Sequence, residues 1–329
     1  MENDILERFK PTRELLRQAI AKNLKRLPKR LGNRLSDYIL STSGKMLRPM
    51  LILEINHILT GNPETGMRHA IVTELLHNMS LIHDDITDWA PLRRGKDSYH
   101  VQWGIERAVL DGDVLLTYAL TQTDELTRET VLETVHSIAV GNAIEVEHRL
   151  LNNFDFKPDE ALEIMRLKTA DVFRVAVELA CIAAGESKEF GQLFGPFAIH
   201  SGLAFQIQDD FLDIYTSHKS WGKKSLWDIQ ESKRNLFLAY GLELPDPYHQ
   251  RLIEIYSKPV GKKTEEELKE VVEIFSKVMP QVEKERDHQI DLAINELDST
   301  RQKLKDHPKI NELCDFFESF AALLTLREM

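Results

Sequence analysis

The sequence predicts an all-α protein with one bundle-like helical core, and three observations carry that expectation. Glycine (15) and proline (12) are sparse in a chain of 329 residues, roughly two thirds of their usual combined share, so turns are few and helices long. Apolar residues recur at three- and four-residue steps, as in AIVTELLHNMSLIHDD, where Ile71, Leu75, Leu76, Met79 and Ile82 share a helical face. No β-hairpin signal and no strand–helix alternation stands out.

The elements follow in order between breakers. The opening MENDILERFKPTRE is charged from its start and lacks the apolar core of a signal peptide. Breaks are expected at 27–33 (LPKRLGN), 60–66 (TGNPETG), 90–98 (APLRRGKDS), 152–158 (NNFDFKP), 216–225 (TSHKSWGKKS), 242–249 (LELPDPYH) and 257–263 (SKPVGKK). The intervening segments have helix length, and 108–120 and 193–215 repeat the helical period. From Glu265 onward runs a charged helical stretch that ends in FFESFAALLTL. No low-complexity tract or composition shift marks a boundary, so 1–329 is expected to be one domain.

Composition excludes several classes. The chain is 42% hydrophobic and 29% charged, with a net charge of −11. That balance fits a soluble globular protein and argues against nucleic acid as a partner, whose binders are usually basic. It also disfavours an anionic membrane surface. The most apolar stretch, 172–185, is broken by Arg174 and Glu178, so no stable membrane insertion is expected. Cys181 and Cys314 lie far apart without metal-ligand spacing, which suits a reduced, cytoplasmic location.

Chemistry concentrates in two acidic clusters. LIHDDITDWAPLRRGK places Asp84, Asp85 and Asp88 just before Arg93 and Arg94, and FQIQDDFLDIY repeats the spacing with Asp209, Asp210 and Asp213. Asp84 and Asp88 are an i, i+4 pair on one helical side, which costs an isolated helix a few tenths of a kcal/mol. The plainer explanation pairs them with Arg93 and Arg94 in a surface salt-bridge knot, but the second cluster has no arginine beside it. Both clusters sit in apolar sequence, where unpaired negative charge is expensive without a cation. Oxygen ligands of this kind suit Mg2+, which binds one or two carboxylates and keeps sites for phosphate oxygens. Lys45 and Arg48 in GKMLRP, Arg93 and Arg94, Lys168 and Thr169 in LKTAD, and Lys223 and Lys233 in GKKSLWDIQESKRN supply the cations. Together they outline a site for two phosphate groups, one bridged by metal and one gripped directly by lysine and forked arginine donors.

Six segments in this order, GKMLRP (44–49), ELLHNMSLIHDDITDWAPLRRGK (74–96), LDGDVLLTYA (110–119), LKTADVF (167–173), GLAFQIQDDFLDIY (202–215) and GKKSLWDIQESK (222–233), make the chain resemble the trans-isoprenyl diphosphate synthases, or polyprenyl synthetases. The likeness is strongest to the geranylgeranyl and farnesyl types. It implies the isoprenoid synthase fold, a helical bundle around a central cavity, usually as a homodimer. By the same likeness, Asp84, Asp88, Asp209 and Asp213 would hold Mg2+ on the diphosphate of an allylic substrate. Arg93, Lys168, Thr169, Gln206, Lys223 and Lys233 would contact that diphosphate, with Lys168, Lys223 and Gln206 at the catalytic step. Lys45, Arg48, His77 and Arg94 would grip isopentenyl diphosphate. The reaction implied is a head-to-tail condensation through an allylic carbocation. Two positions depart from the family pattern: Ser232-Lys233-Arg234-Asn235 stands for Gly-Lys-x-Thr, and Gly141-Asn142 for Gly-Gln. The first acidic motif carries no inserted residues, and Ile229-Gln230 follow Asp228, as in archaeal and eukaryotic members.

Ser80, Met79 and Leu76, at four, five and eight positions before Asp84, are expected to line the pocket of the growing chain. Ser80 is small and Met79 flexible, so geranylgeranyl diphosphate is the expected product, with farnesyl or longer products as alternatives. A different class is the alternative: Glu74-x-x-His77 and Glu145-x-x-His148 have the spacing of di-iron carboxylate oxidases, although that leaves both acidic motifs unused. His83-Asp84 hints at an HD-type phosphohydrolase without further histidines at the needed spacings. Lys45, Arg48 and Arg94 argue against a terpene cyclase, and intact motifs against an inactive partner subunit. Phe205 is expected to be core.

Overall fold

The computed structural model describes residues 2–42, 44–215 and 226–325. Lys223, and with it the break expected at 216–225, lies outside the described residues. The described chain runs α1 (Glu2–Leu24), α2 (Lys29–Thr42), α3 (Leu47–Thr60), a 3-10 turn (Pro63–Gly66), α4 (Met67–Thr87), β1 (Leu92–Arg93), β2 (Lys96–Asp97), α5 (Tyr99–Trp103), α6 (Ile105–Leu120) and α7 (Arg128–Leu150). It continues with α8 (Pro158–Met165), a π-helical turn (Arg166–Ala170), α9 (Asp171–Ala183), α10 (Lys188–Gln192), α11 (Gly195–Tyr215), α12 (Trp227–Gln230), α13 (Leu236–Gly241), α14 (Tyr248–Tyr256), α15 (Glu265–Lys303) and α16 (Ile310–Thr325).

Helices α4, α9 and α11 are buried around most of their circumference, as helices surrounded by others are. Phe173, Val175, Ala176, Val177, Leu179 and Ala180 of α9 are all buried. Helix α3 packs on α4 and α9, α6 on α4, and α15 along α11. One apolar cluster joins α1–α4, α9 and α16, and a second joins α8, α11 and α13–α15. Helix α11 belongs to both, through Phe197, Ala198 and Phe205 on one side and Leu203, Ile207 and Phe211 on the other. Phe205 is indeed core, edge-on to Phe173 at 5.5 Å. Helix α15 starts at a capping box, with the Glu267 N–H on Thr264 Oγ1 (3.3 Å) and the Thr264 N–H on Glu267 Oε2 (3.0 Å).

Two expectations need correction. The break at 27–33 is shorter than the sequence suggested, because Gly32 lies inside α2. A Cβ there would sit 2.3 Å from the Leu24 carbonyl oxygen, so glycine marks a close helix contact rather than a turn. Residues 90–98, expected as loop, contain a small antiparallel hairpin that pairs Leu92 with Asp97 and Arg93 with Lys96. Its two-residue turn, Arg94-Gly95, has φ of 51° and 76°, the doubly left-handed geometry that matches strand twist. Strands of two residues are too short to show an alternating pattern, and arginine is not a residue that announces such a turn.

Candidate active site

The first acidic motif ends α4. Asp85, its middle aspartate, points into the protein and is fully buried, where Arg93 of the hairpin grips it. Asp84 and Asp88 face the other way, towards α7. Asn142 Nδ2 donates to Asp84 Oδ1 at 3.0 Å, and Arg149 Nη1 reaches Asp88 Oδ1 at 3.5 Å. The surface salt-bridge knot of Asp84 and Asp88 with Arg93 and Arg94 is therefore absent among the described contacts, since Arg93 holds Asp85 and Arg94 donates to the Thr42 carbonyl. Asp88 keeps 26% of its side-chain surface open, so the pair sits in a recess rather than in the interior. Desolvation raises both carboxyls above their usual range. Asp88 reaches about 6, with the neighbouring Asp84 adding to the effect of burial.

The second motif ends α11. Asp209 and Asp213 are half-buried, while Asp210 is buried. Lys233 Nζ lies between Asp210 Oδ1 (2.9 Å) and Asp228 Oδ2 (2.8 Å). Burial pushes Asp210 up to about 6 against the pull of Lys233. Burial opposes the Lys233 charge too, yet Asp210 and Asp228 hold it well above the lysine range. Gln206 is locked between Thr169, whose Oγ1 donates to Gln206 Oε1 at 2.8 Å, and Asp210, which accepts from Gln206 Nε2 at 3.1 Å.

Lys168 and Thr169 project from the π-helical turn, an insertion that recurs at functional sites. Lys168 donates to Glu145 of α7. Although burial lowers it, Glu145, Asp84 and Asp88 together raise its pKa, so it is a fixed cation. Glycines admit the turn: a Cβ on Gly141 would stand 2.8 Å from Lys168 Cγ, and one on Gly202 2.6 Å from Ala170 Cα.

Arg48, His77 and Arg94 lie close enough for the two arginines to act on the imidazole, and Gly44, next to Lys45 in the chain, lies against the Arg94 guanidinium. Arg48 stacks its guanidinium over Phe173, 4.9 Å from the ring centre. Burial, then Arg48, Arg94 and Arg93, hold His77 well below its usual pKa, so it is a neutral hydrogen-bonding group. A pocket partly open to solvent joins Arg48, His77 and Lys168 to an apolar wall. Arg48, His77 and Lys168 line its polar end, and Leu76, Val131, Ile138, Val172, Val175 and Leu179 supply most of the apolar wall, with Thr73, Ser80 and Thr134 between.

Of the residues expected to set chain length, Leu76 and Ser80 line the cavity and Met79 does not. Met79 is buried in the core instead, because a one-residue step along a helix turns the side chain by ~100°. The di-iron alternative fails. Glu145 is taken by Lys168, Glu74 accepts from Asn78, and His148 faces Glu160 at 3.6 Å. Among the described residues no three histidine, cysteine or acidic side chains gather as a preformed metal cluster, either here or at the acidic motifs. Residue order showed Asn142 only as a departure from the family pattern and assigned no role to Arg149 or to Trp227, whose indole Nε1 donates to the Asp88 carbonyl at 3.2 Å. One backbone signal marks the site: Met46, Trp89, Arg94, Leu226 and Ser232 all have φ between 51° and 62°, and each flanks a residue described above. Non-glycine residues in this region cluster at functional sites.

Fold and cavity together define an enzyme of the all-α isoprenoid synthase class. A family model described as polyprenyl synthetase matches residues 29–275. A short chain isoprenyl diphosphate synthase of Methanothermobacter thermautotrophicus is 32% identical over 83% of this chain and 84% of its own length. A geranylgeranyl diphosphate synthase of Sulfolobus acidocaldarius is 30% identical over 74% of this chain and 76% of that protein. The crystal structure of geranylgeranyl pyrophosphate synthase from Corynebacterium glutamicum, complexed with isoprenyl diphosphate and magnesium, superposes with a TM-score of 0.82 at 20% identity, covering 96% of this chain and 98% of the other. The chain belongs to the polyprenyl synthetase family, and it is a prenyltransferase that makes isoprenyl diphosphates.

Proposed function

We propose that this enzyme condenses isopentenyl diphosphate with an allylic diphosphate, uses Mg2+, and releases geranylgeranyl diphosphate. The cavity carries the proposal, because one slot joins cations beside the acidic motifs to an apolar wall built by α7 and α9. Asp84, Asp88, Asp209 and Asp213 would hold Mg2+. Their donors are all oxygen, buried negative charge is in excess around Asp84 and Asp88, and Asp210 Oδ2 has no hydrogen-bond partner among the described residues. Carboxylates acting in pairs suit an ion that retains sites for water and phosphate. When bound, Mg2+ would neutralise charge on the departing diphosphate.

The protein's own groups supply the rest. Arg93, Lys168, Thr169, Gln206 and Lys233, with Lys223 beyond the described residues, would orient the allylic diphosphate and stabilise the charge it gains as the carbon–oxygen bond breaks. Lys45, Arg48, Arg94 and neutral His77 would fix isopentenyl diphosphate so that its double bond meets the allylic carbon. The apolar wall excludes water that would otherwise quench the cation. The leaving diphosphate is the nearest strong base for the proton lost at the end.

Product length follows from Ser80, which leaves the slot open past the position where an aromatic side chain would close it. The likeness to the geranylgeranyl diphosphate synthase of Sulfolobus acidocaldarius supports geranylgeranyl diphosphate. Incubation with isopentenyl and dimethylallyl diphosphates, with and without Mg2+, followed by chromatography of the dephosphorylated products, tests both points. Activity without divalent metal would refute the metal site, and a terminal farnesyl product would refute the length assignment.

The 329 residues are read as one domain of a homodimer. Val101 of α5 and Ile105, Val109 and Leu110 of α6 are 40–64% exposed, an apolar face that a second copy would cover. Sedimentation at the mass of a monomer would refute the dimer. A cytoplasmic location agrees with two free, buried cysteines. Among the described residues no helix is long and apolar enough to cross a membrane.

A further inference from the structure

The two acidic motifs lie at the ends of α4 and α11, which share little direct packing, so other groups must set their separation. The end of α4 shows which. The last carbonyls of a helix have no intrahelical donors and need partners from elsewhere. Here the Ala90 N–H donates to the Asp85 carbonyl at 3.0 Å and the Trp89 N–H to the Ile86 carbonyl at 3.3 Å. Arg149 Nη2 donates to the Thr87 carbonyl at 2.7 Å, and Trp227 Nε1 to the Asp88 carbonyl at 3.2 Å. The residue after Trp227 turns to the other motif: the Asp228 N–H donates to Asp213 Oδ2 at 3.4 Å, and the Asp228 carboxylate shares Lys233 with Asp210. Two consecutive residues thus hold the last aspartate of each motif.

We propose that Trp227 is a positioning residue whose indole, tethered to the main chain of Asp88 while Asp228 is tethered to Asp213, sets the gap between the acidic motifs. Consecutive Cα atoms are only 3.8 Å apart, so the dipeptide acts as a short strut with one end on each wall. An indole nitrogen donates a single hydrogen bond and accepts none, and here that donor is aimed at the Asp88 carbonyl. Leu226 enters the strut in a left-handed conformation (φ 55°), which directs the indole back towards α4. The inference rests on the metal–diphosphate reading of the two motifs.

Two variants separate a tether from simple packing. Trp227→Phe keeps a ring but loses the donor, and Trp227→Leu loses both. Calorimetric titration of the full-length enzyme with inorganic pyrophosphate in saturating Mg2+ should show both variants binding about tenfold more weakly, the scale of one hydrogen bond. The KM for the allylic substrate should rise similarly, while the KM for isopentenyl diphosphate and the thermal midpoint stay near wild type. A Phe variant that binds like wild type overturns the tether, as does a parallel rise in both KM values with a lowered midpoint. A wild-type enzyme that fails to bind pyrophosphate with Mg2+ overturns the underlying site assignment instead, so the two failures are distinguishable.

Discussion

Asn142 of α7 donates from Nδ2 to Oδ1 of Asp84 across 3.0 Å. The bond crosses from one wall of the recess to the other and fixes the rotation of a carboxylate assigned to metal. Asn142→Leu removes the donor at nearly constant volume. It should raise the KM for the allylic diphosphate about tenfold, a loss of roughly 1.4 kcal/mol, with the KM for isopentenyl diphosphate unchanged. Steady-state kinetics with each substrate varied in turn checks the split.

Neighbouring aspartates of the first motif should give opposite phenotypes. Asp85 is fully buried against Arg93, so Asp85→Ala strands a cation and should cost about 3 kcal/mol of stability. Asp84→Ala instead relieves crowding of negative charge. It should leave stability equal or higher while abolishing turnover, as should Asp209→Ala. Urea denaturation paired with product assays reads both quantities, and full activity in either Asp84→Ala or Asp209→Ala would remove the assigned site.

Ser80 lines the cavity and Met79 packs in the core. Ser80→Phe should shorten the product to farnesyl diphosphate or less. Met79→Phe should chiefly strain the core, by about 1–3 kcal/mol. Chromatography of products and thermal midpoints of the two variants distinguish these outcomes.

Glu74 supplies a pH signature outside the acidic motifs. It is 1% exposed, accepts from Asn78 Nδ2 at 2.9 Å, and leaves Oε2 without a partner among the described residues. Burial raises its carboxyl to about 7 against the Asn78 hydrogen bond, Arg94 and Arg48. The folded state therefore keeps a proton that the unfolded chain releases near 4.5. The stability this provides is complete below that pH and is lost as pH rises through 7. In Glu74→Gln that loss disappears, so between pH 5 and 8 the variant should gain roughly 2 kcal/mol relative to wild type. Urea midpoints at the two pH values give the difference, and a pH-independent offset would contradict it.

Much of this was legible in residue order. The helical period of 71–82 and 193–215 is a local pattern that a single segment records by itself, although both helices are buried around most of their circumference. The repeated D-D-x-x-D could be read as paired carboxylates because i, i+4 spacing is local geometry. What could not be read is which aspartate faces inward. Asp85 differs from Asp84 by one step of the helix, and only the hairpin that delivers Arg93 reveals its partner. That hairpin is itself invisible in the pattern, because its strands have two residues each. Glu145 drew notice for the wrong chemistry. Its spacing to His148 suggested iron, whereas its partner Lys168 comes from a π-helical turn that no propensity predicts.

By itself, the sequence determined the all-α class, the two acidic motifs and the family's set of cations, because each is written in short-range spacing along single helices. Tertiary structure alone decided that Met79 leaves the cavity wall, that Arg93 serves Asp85, and that Asn142, Arg149 and Trp227 hold the first motif in place. Those relationships join residues up to 139 positions apart, and they depend on where helices cross, which periodicity in one helix does not encode.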